Sequence, residues 1–151
     1  MLSAIEIAEP QDVEYSRRDY KHWNTYPSRS CWTVRKEVLA NQSVSENLTF
    51  LDKNKNQVTS KDEACVIDSG EWIDPYSGTR IADSSSVDID HVIPLSYAAK
   101  HGADSWETEK KQEFANDIRF LLATSAKENR SKGDKGPSEY MPADRSYHCV
   151  Y

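Results

Sequence analysis

The stretch from Val87 to Pro94, VDIDHVIP, is the strongest indication of fold and chemistry in this chain. It places Asp90 and His91 side by side within an apolar, β-branched run, which predicts a strand over Val87–Leu95. A carboxylate can hold a hard cation, and an imidazole can take a proton from water near neutral pH. Taken alone, the same pair also fits a core histidine that is hydrogen-bonded to its neighbouring aspartate.

A second polar cluster, FANDIRFLLATSAKENRSKGDKGP, spans Phe114–Pro137. Its short apolar run predicts a strand over Ile118–Ala123, and the capping residues that follow predict a helix over Thr124–Arg130. If the two strands pair antiparallel, this helix folds back across the hairpin and brings Asn129 to face His91. The order strand, strand, helix therefore predicts a compact ββα unit.

The rest of the chain predicts a mainly helical and loop surround for this unit, so the expected fold class is α+β. Predicted helices or turns cover Tyr15–Trp23, Thr33–Ala40, Tyr97–Ala103 and Trp106–Asn116, and short strands are expected near Leu48–Leu51 and at Glu71–Ile73, before a turn. Residues 1–14 are interpreted as a flexible lead, and residues 15–151 as a single domain.

Composition fits a polar, folded protein of 151 residues, with 37% apolar and 29% charged residues and with 4 Trp and 8 Tyr. No apolar run approaches the ~20 residues of a membrane span. The N-terminus lacks the basic segment and apolar core of a signal peptide. A net charge of −6 argues against a generally nucleic-acid-binding surface, but residues 127–135 are locally basic.

Three cysteines are an odd number, so one thiol is left over if two of them pair. Cys31 and Cys65 are expected to form a disulfide, which leaves Cys149 as a free thiol or as the partner of a cysteine outside the chain. The alternative is three reduced, buried thiols in a cytosolic protein.

In these segments the chain resembles the HNH endonuclease family, whose core is a ββα-metal finger. The motif DIDHVIPL resembles the Asp-His strand of that family, FAND its central Asn segment, and SAKENRSKGDKGP its third segment. The segments YSRRDYKHW, CWTVRKEVL and GEWIDPYSG are most similar to small secreted HNH nucleases of bacteria and fungi. The resemblance covers Tyr15–Tyr151.

The resemblance implies a role for each motif residue. His91 matches the general base, Asp90 and Asn129 match the protein ligands of one Mg²⁺ or Mn²⁺ ion, and Asn116 matches the middle catalytic-motif residue, which braces the loop and the base. Asn129 stands where other members have His, which disfavours zinc or nickel. Asp88 shares a strand face with Asp90 and is interpreted as a bystander.

Four residues of the resemblance recur in the secreted relatives without an assigned role: Arg17, His22, Trp23 and Arg35. Four basic residues are expected to anchor flanking phosphates of the substrate: Arg119, Arg130, Lys132 and Lys135. Each of these four also fits an ordinary solvated surface.

The expected function is a metal-dependent endonuclease that cuts DNA, with RNA as a further substrate, at little sequence specificity. The alternatives are a catalytically inactive nucleic-acid- or protein-binding module and a toxin or effector nuclease with an inhibitor protein. The expected protein is a monomer that binds double-stranded DNA and no membrane, and that is secreted or periplasmic. Relatives continue past Ser146–Tyr151, so a C-terminal truncation that separates Cys149 from its partner is expected.

Overall fold

The computed structural model describes residues 9–26 and 31–151. Four α-helices are described: α1 (Val34–Gln42), α2 (Leu95–Lys100), α3 (Thr108–Asn116) and α4 (Ala126–Lys132). Seven short strands are described: β1 (Thr49–Leu51), β2 (Gln57–Val58), β3 (Val66–Ser69), β4 (Trp72–Ile73), β5 (Arg80–Ile81), β6 (Val87–His91) and β7 (Leu121–Ser125). The fold is α+β, as the sequence predicts.

The predicted ββα unit is formed by β6, β7 and α4. Strands β6 and β7 pair antiparallel in a register that sets Val87 against Ser125 and His91 against Leu121. Helix α4 follows β7 directly, and its N-cap is Ser125, whose side chain accepts a hydrogen bond from the backbone N–H of Glu128 at 3.2 Å. Because no loop separates strand from helix, the helix turns back onto the hairpin.

Two predicted strands are shorter than expected, for local reasons. Strand β6 ends at His91 and not at Leu95, because Pro94 occupies the N-cap position of α2 and Leu95 begins that helix. The predicted strand over Ile118–Ala123 begins only at Leu121. The residues before it form a 3₁₀ turn, which the Asp117 carboxylate caps by accepting a backbone hydrogen bond at 3.0 Å.

Helix α1 packs against the hairpin, and its side chains form hydrogen bonds with the backbone of both β6 and β7. The Gln42 side chain accepts from the backbone N–H of Ala123 at 2.8 Å and donates to the carbonyl of Leu121 at 2.9 Å. Arg35 donates to the carbonyl of Val87 at 2.7 Å. These bonds satisfy backbone groups that a two-stranded ribbon leaves unpaired at its edges.

The main hydrophobic core lies between α1, the hairpin and the small sheets of the surround. Trp32 and Trp72 are fully buried in it, with Leu39 and Val87 among their neighbours in the cluster. The Trp72 indole N–H donates to the carbonyl of Leu39 at 2.8 Å, so the buried ring leaves no polar atom unpaired. A second, smaller cluster joins Tyr20 to helices α2 and α3.

The surround contains two small antiparallel sheets, one in the order β2-β1-β3 and one formed by β4 and β5. Cys31 and Cys65 form a disulfide that links the start of α1 to this surround, and Cys149 is an exposed free thiol. Among the described helices, none has the length and apolarity needed to cross a bilayer.

Replacing both Cys31 and Cys65 by Ser is expected to lower the free energy of unfolding by about 3–4 kcal/mol, because the crosslink closes a long loop in the unfolded chain. Urea denaturation under non-reducing conditions measures the loss. Cys149→Ser is the matched control and should unfold like the parent. Equal midpoints for the double variant and the parent would show that the disulfide contributes nothing.

Candidate active site

His91 lies at the end of β6 and is buried, with 8% of its surface exposed. Its Nε2 lies 2.9 Å from the backbone carbonyl of Ala115. A carbonyl oxygen only accepts, so the neutral ring carries its hydrogen on Nε2 and its lone pair on Nδ1. One backbone carbonyl thus fixes both the orientation and the tautomer of the ring.

Burial lowers the pKa of His91 to about 4, and the nearby positive charges of Arg17 and Lys132 act in the same direction. The hydrogen bond to Ala115 opposes this shift. At neutral pH the ring is therefore uncharged, and its Nδ1 lone pair can accept a proton. A charged imidazole could not act in this way.

Asn116 holds the segment that packs on His91. Its Oδ1 accepts from the backbone N–H of Asn24 at 3.1 Å, and its Nδ2 donates to the carbonyls of Lys21 and Gln112, each at 2.8 Å. These bonds clamp both ends of the turn over residues 21–24. Asn116 is not among the residues that line the cleft described below, so its described contacts are those of a positioning residue.

The clamped turn brings two aromatic rings against the imidazole of His91. The centroids of His22 and Trp23 lie 5.5 Å and 5.7 Å from that of His91. Trp23 adopts a positive φ of 63°, which is strained for a bulky residue and which the bonds of Asn116 help to hold. His22 and Trp23, which the sequence singles out without a role, thus form the wall behind His91.

Asp90 is buried and has a protein donor on each oxygen. The Tyr76 hydroxyl donates to Oδ2 at 2.6 Å, and Lys132 Nζ donates to Oδ1 at 3.0 Å and to the carbonyl of His91 at 2.9 Å. Burial raises the pKa of the Asp90 carboxyl, while Lys132 and Tyr76 oppose that rise. Lys132 Nζ also lies 3.0 Å from Oδ2. An ionised carboxylate has about four acceptor sites, so Oδ1 can still accept another ligand.

The expectation that Lys132 binds a flanking phosphate is wrong. Its side chain is fully buried, and its ammonium is bonded to Asp90 and to the backbone of β6. The physical reason is the direction of α4: its last turn faces the hairpin, so a lysine at this position points into the protein. The other basic residues of this segment, Lys127, Arg130 and Lys135, are exposed.

Tyr76 is a site residue that sequence reasoning missed, although the turn containing it was predicted. Asp74, fully buried, accepts from the backbone N–H of Tyr76 at 2.9 Å and from the hydroxyl of Thr124 at 2.6 Å. Burial alone would raise the pKa of Asp74, but these hydrogen bonds lower it overall. The feature of the sequence that points to Tyr76 is the motif GEWIDPYSG. Its Asp-Pro turn holds Tyr76 where the hydroxyl can donate to Asp90.

Asn129 lies on α4, beside the hairpin. Its Nδ2 donates to Asp88 Oδ2 at 3.3 Å, so its carbonyl oxygen is the atom left for a cation. Asp88, interpreted from the sequence as a bystander, therefore contacts and orients a candidate metal ligand. Arg35 faces Asp88, and this carboxylate opposes the lowering of the Arg35 pKa that burial causes.

The candidate catalytic and metal-binding side chains share one cleft of about 250 Å³. Its lining includes Arg17, Asp90, His91, Asn129 and Arg130. Arg130 is therefore placed where a predicted phosphate anchor should be. Two other predicted anchors lie outside the lining. Arg119 is exposed and donates to the Asp117 carboxylate at 2.9 Å, and Lys135 donates to the carbonyl of Ser131 at 2.7 Å.

The donor set of the cleft fits a hard cation. Asp90 and Asn129 both line it and offer oxygen atoms. Among residues 9–26 and 31–151, no group of three or more His, Cys, Asp and Glu side chains could hold a metal ion. Two oxygen ligands suffice for Mg²⁺, which keeps several waters, whereas zinc sites use three or four protein ligands that are mostly nitrogen or sulfur.

Lys132→Met is expected to lower the free energy of unfolding by about 3–5 kcal/mol, because it leaves the Asp90 carboxylate buried and unpaired. The double variant Asp90→Asn/Lys132→Met removes both charges and should recover much of that loss. Urea denaturation measures both changes. Lys135→Met, at an exposed lysine, is the control and should have little effect. If Lys132→Met matches this control, the buried pair does not stabilise the fold.

Residues 46–151, more than two thirds of the chain, match the family model described as GmrSD restriction endonucleases, C-terminal domain. An uncharacterized secreted protein of Arthroderma benhamiae is 40% identical over 155 residues, which covers 100% of this chain and 68% of the relative. No solved structure matches the chain. The family description indicates a nuclease-type function in general terms. The chain belongs to the family of GmrSD restriction endonuclease C-terminal domains, which is related to the HNH endonucleases.

Proposed function

We propose that this protein is an endonuclease that hydrolyses phosphodiester bonds of DNA with the help of one divalent cation. The observation that carries the proposal is the geometry of His91: a buried, neutral imidazole whose Nε2 is occupied by a backbone carbonyl, in a cleft shared with Asp90 and Asn129. Hydrolysis of a phosphodiester needs a base for water, and this ring is in the required protonation state.

In the proposed reaction, Nδ1 of His91 accepts a proton from the attacking water. The contact of Nε2 with Ala115 keeps the ring in one orientation while the proton moves, and His22 and Trp23 prevent it from tilting. The negative charge of a bound phosphate raises the pKa of a neighbouring imidazole, which makes His91 a stronger base once the substrate is in place.

Asp90 and Asn129 are the proposed ligands of the cation, which is Mg²⁺ or Mn²⁺. When bound, this ion supplies charge neutralisation to the scissile phosphate and to the departing oxygen. Lys132 and Tyr76 hold the Asp90 carboxylate in place, and Asp88 holds the Asn129 amide. Neither ligand therefore loses much side-chain freedom on binding.

Arg130 is the proposed contact to a flanking phosphate, because it is the predicted anchor that lines the cleft. Phosphate contacts position the nucleic acid but carry no base information. We therefore expect the protein to cleave nucleic acid with little sequence preference.

We further propose that the protein acts outside the cytoplasm. The Arthroderma relative is named a secreted protein, and the Cys31–Cys65 disulfide is of the kind that persists in oxidising compartments.

Supercoiled plasmid incubated with Mg²⁺ tests the proposal. The parent should nick and then linearise it, EDTA should stop the reaction, and His91→Ala should lower the rate at least about 100-fold. His101→Ala is the matched control, because His101 is exposed and its ring is stacked on Tyr97 away from the cleft lining. A labelled RNA of the same sequence, run in parallel, separates DNA from RNA as the substrate.

The outcomes separate the candidate functions. Equal cleavage by the parent and His91→Ala would show that His91 is not the base. A parent that binds DNA and cuts neither DNA nor RNA with any divalent cation would instead be the inactive binding module.

A further inference from the structure

Arg17 is a charged side chain of the cleft that takes no part in the proposed proton transfer or cation binding. It lies in the turn before Tyr20, far in sequence from the hairpin, and it lines the cleft together with His91 and Arg130. Among residues 9–26 and 31–151 it forms no salt bridge, so its charge is available to an anion.

His22 holds Arg17 in this position. Its Nδ1 lies 2.8 Å from the carbonyl of Tyr20, so Nδ1 carries the hydrogen and Nε2 carries the lone pair. That lone pair accepts an N–H of the Arg17 guanidinium at 3.1 Å. Burial lowers the pKa of His22, the Tyr20 contact opposes this, and Arg17 acts with burial, so the ring stays a neutral acceptor.

The guanidinium keeps most of its donors after this contact. It has five N–H groups in a planar fork, and His22 uses one of them. A planar fork matches two oxygens of a phosphate, which a lysine ammonium cannot do in the same way. Arg17 and Arg130 come from distant parts of the chain and line the same cleft, so both face an anion bound there.

We infer that Arg17 is a substrate-binding residue that donates to phosphate oxygens of the nucleic acid in the cleft, and that His22 is the positioning residue that aims it. This inference rests on the proposed function. The turn that Asn116 holds therefore has two roles in the site. The rings of His22 and Trp23 pack against His91, and His22 also accepts the hydrogen bond that orients Arg17.

The experiment compares the parent with Arg17→Ala, His22→Phe, the double variant and His22→Gln, and uses Arg18→Ala as control. Arg18 is an exposed neighbour of Arg17 that does not line the cleft. A fluorescein-labelled DNA duplex serves for binding by anisotropy in EDTA at several salt concentrations, and for cleavage kinetics in Mg²⁺. Circular dichroism checks that each variant is folded.

Arg17→Ala should weaken duplex binding about tenfold or more, as expected for a hydrogen bond to a charged group. It should also reduce the salt dependence of binding by about one counterion, that is, change the slope of log Kd against log salt by about 0.9. Arg18→Ala should leave affinity and slope near those of the parent.

His22→Phe keeps a ring of similar size but loses the acceptor, so it should weaken binding like Arg17→Ala. The double variant should be no weaker than Arg17→Ala alone, because both changes remove the same contact. His22→Gln keeps an acceptor for Arg17 and should restore part of the affinity and the salt slope, which a purely structural role of His22 would not do.

Arg17→Ala with parental affinity and parental salt slope overturns the inference. Additive losses in the double variant overturn the role of His22. A parent that binds the duplex but does not cut it refutes the proposed cleavage, while the binding data still decide the role of Arg17. A parent that does not bind nucleic acid refutes both.

Discussion

The buried ion pair between Lys132 and Asp90 is the interaction on which the site depends. It joins the last turn of α4 to the end of β6, and so it fixes how the helix that carries Asn129 lies on the hairpin. Burying two charges costs several kcal/mol for each ion, and an apolar pair would hold the helix equally well. We interpret the retained charges as a sign that the Asp90 carboxylate is needed in the cleft.

The two imidazoles of the site show how backbone carbonyls set the chemistry of histidine. His91 gives its Nε2 hydrogen to Ala115 and keeps Nδ1 as an acceptor, whereas His22 gives its Nδ1 hydrogen to Tyr20 and keeps Nε2. Burial keeps both rings neutral but makes His91 a weak base in the free protein. In the proposed reaction, the charge of the substrate phosphate raises the pKa of His91 and so offsets this weakness.

The order of motifs along the sequence predicted the ββα unit, and four of the predicted site residues line its cleft: Asp90, His91, Asn129 and Arg130. Strand alternation and the helix-capping residues before Asn129 are local features, and local features can be read from a sequence. The burial of Lys132 could not be read in this way. Lys132 follows the basic residues Lys127 and Arg130, so in the sequence it looks like part of a solvated surface, and only the packing of α4 on β6 turns it inward. Tyr76 was missed for the same reason, since its hydrogen bond to Asp90 joins separate elements.

The proposed reaction depends on the protonation state of His91, because only a neutral ring with its hydrogen on Nε2 can accept a proton at Nδ1. An NMR titration of the ¹⁵N-labelled imidazole, followed through its nitrogen shifts, measures pKa and tautomer together. We expect a pKa of about 4 and, above that pH, a neutral ring with its hydrogen on Nε2. A pKa at the ordinary value of about 6.5, or a hydrogen on Nδ1 at neutral pH, would contradict it.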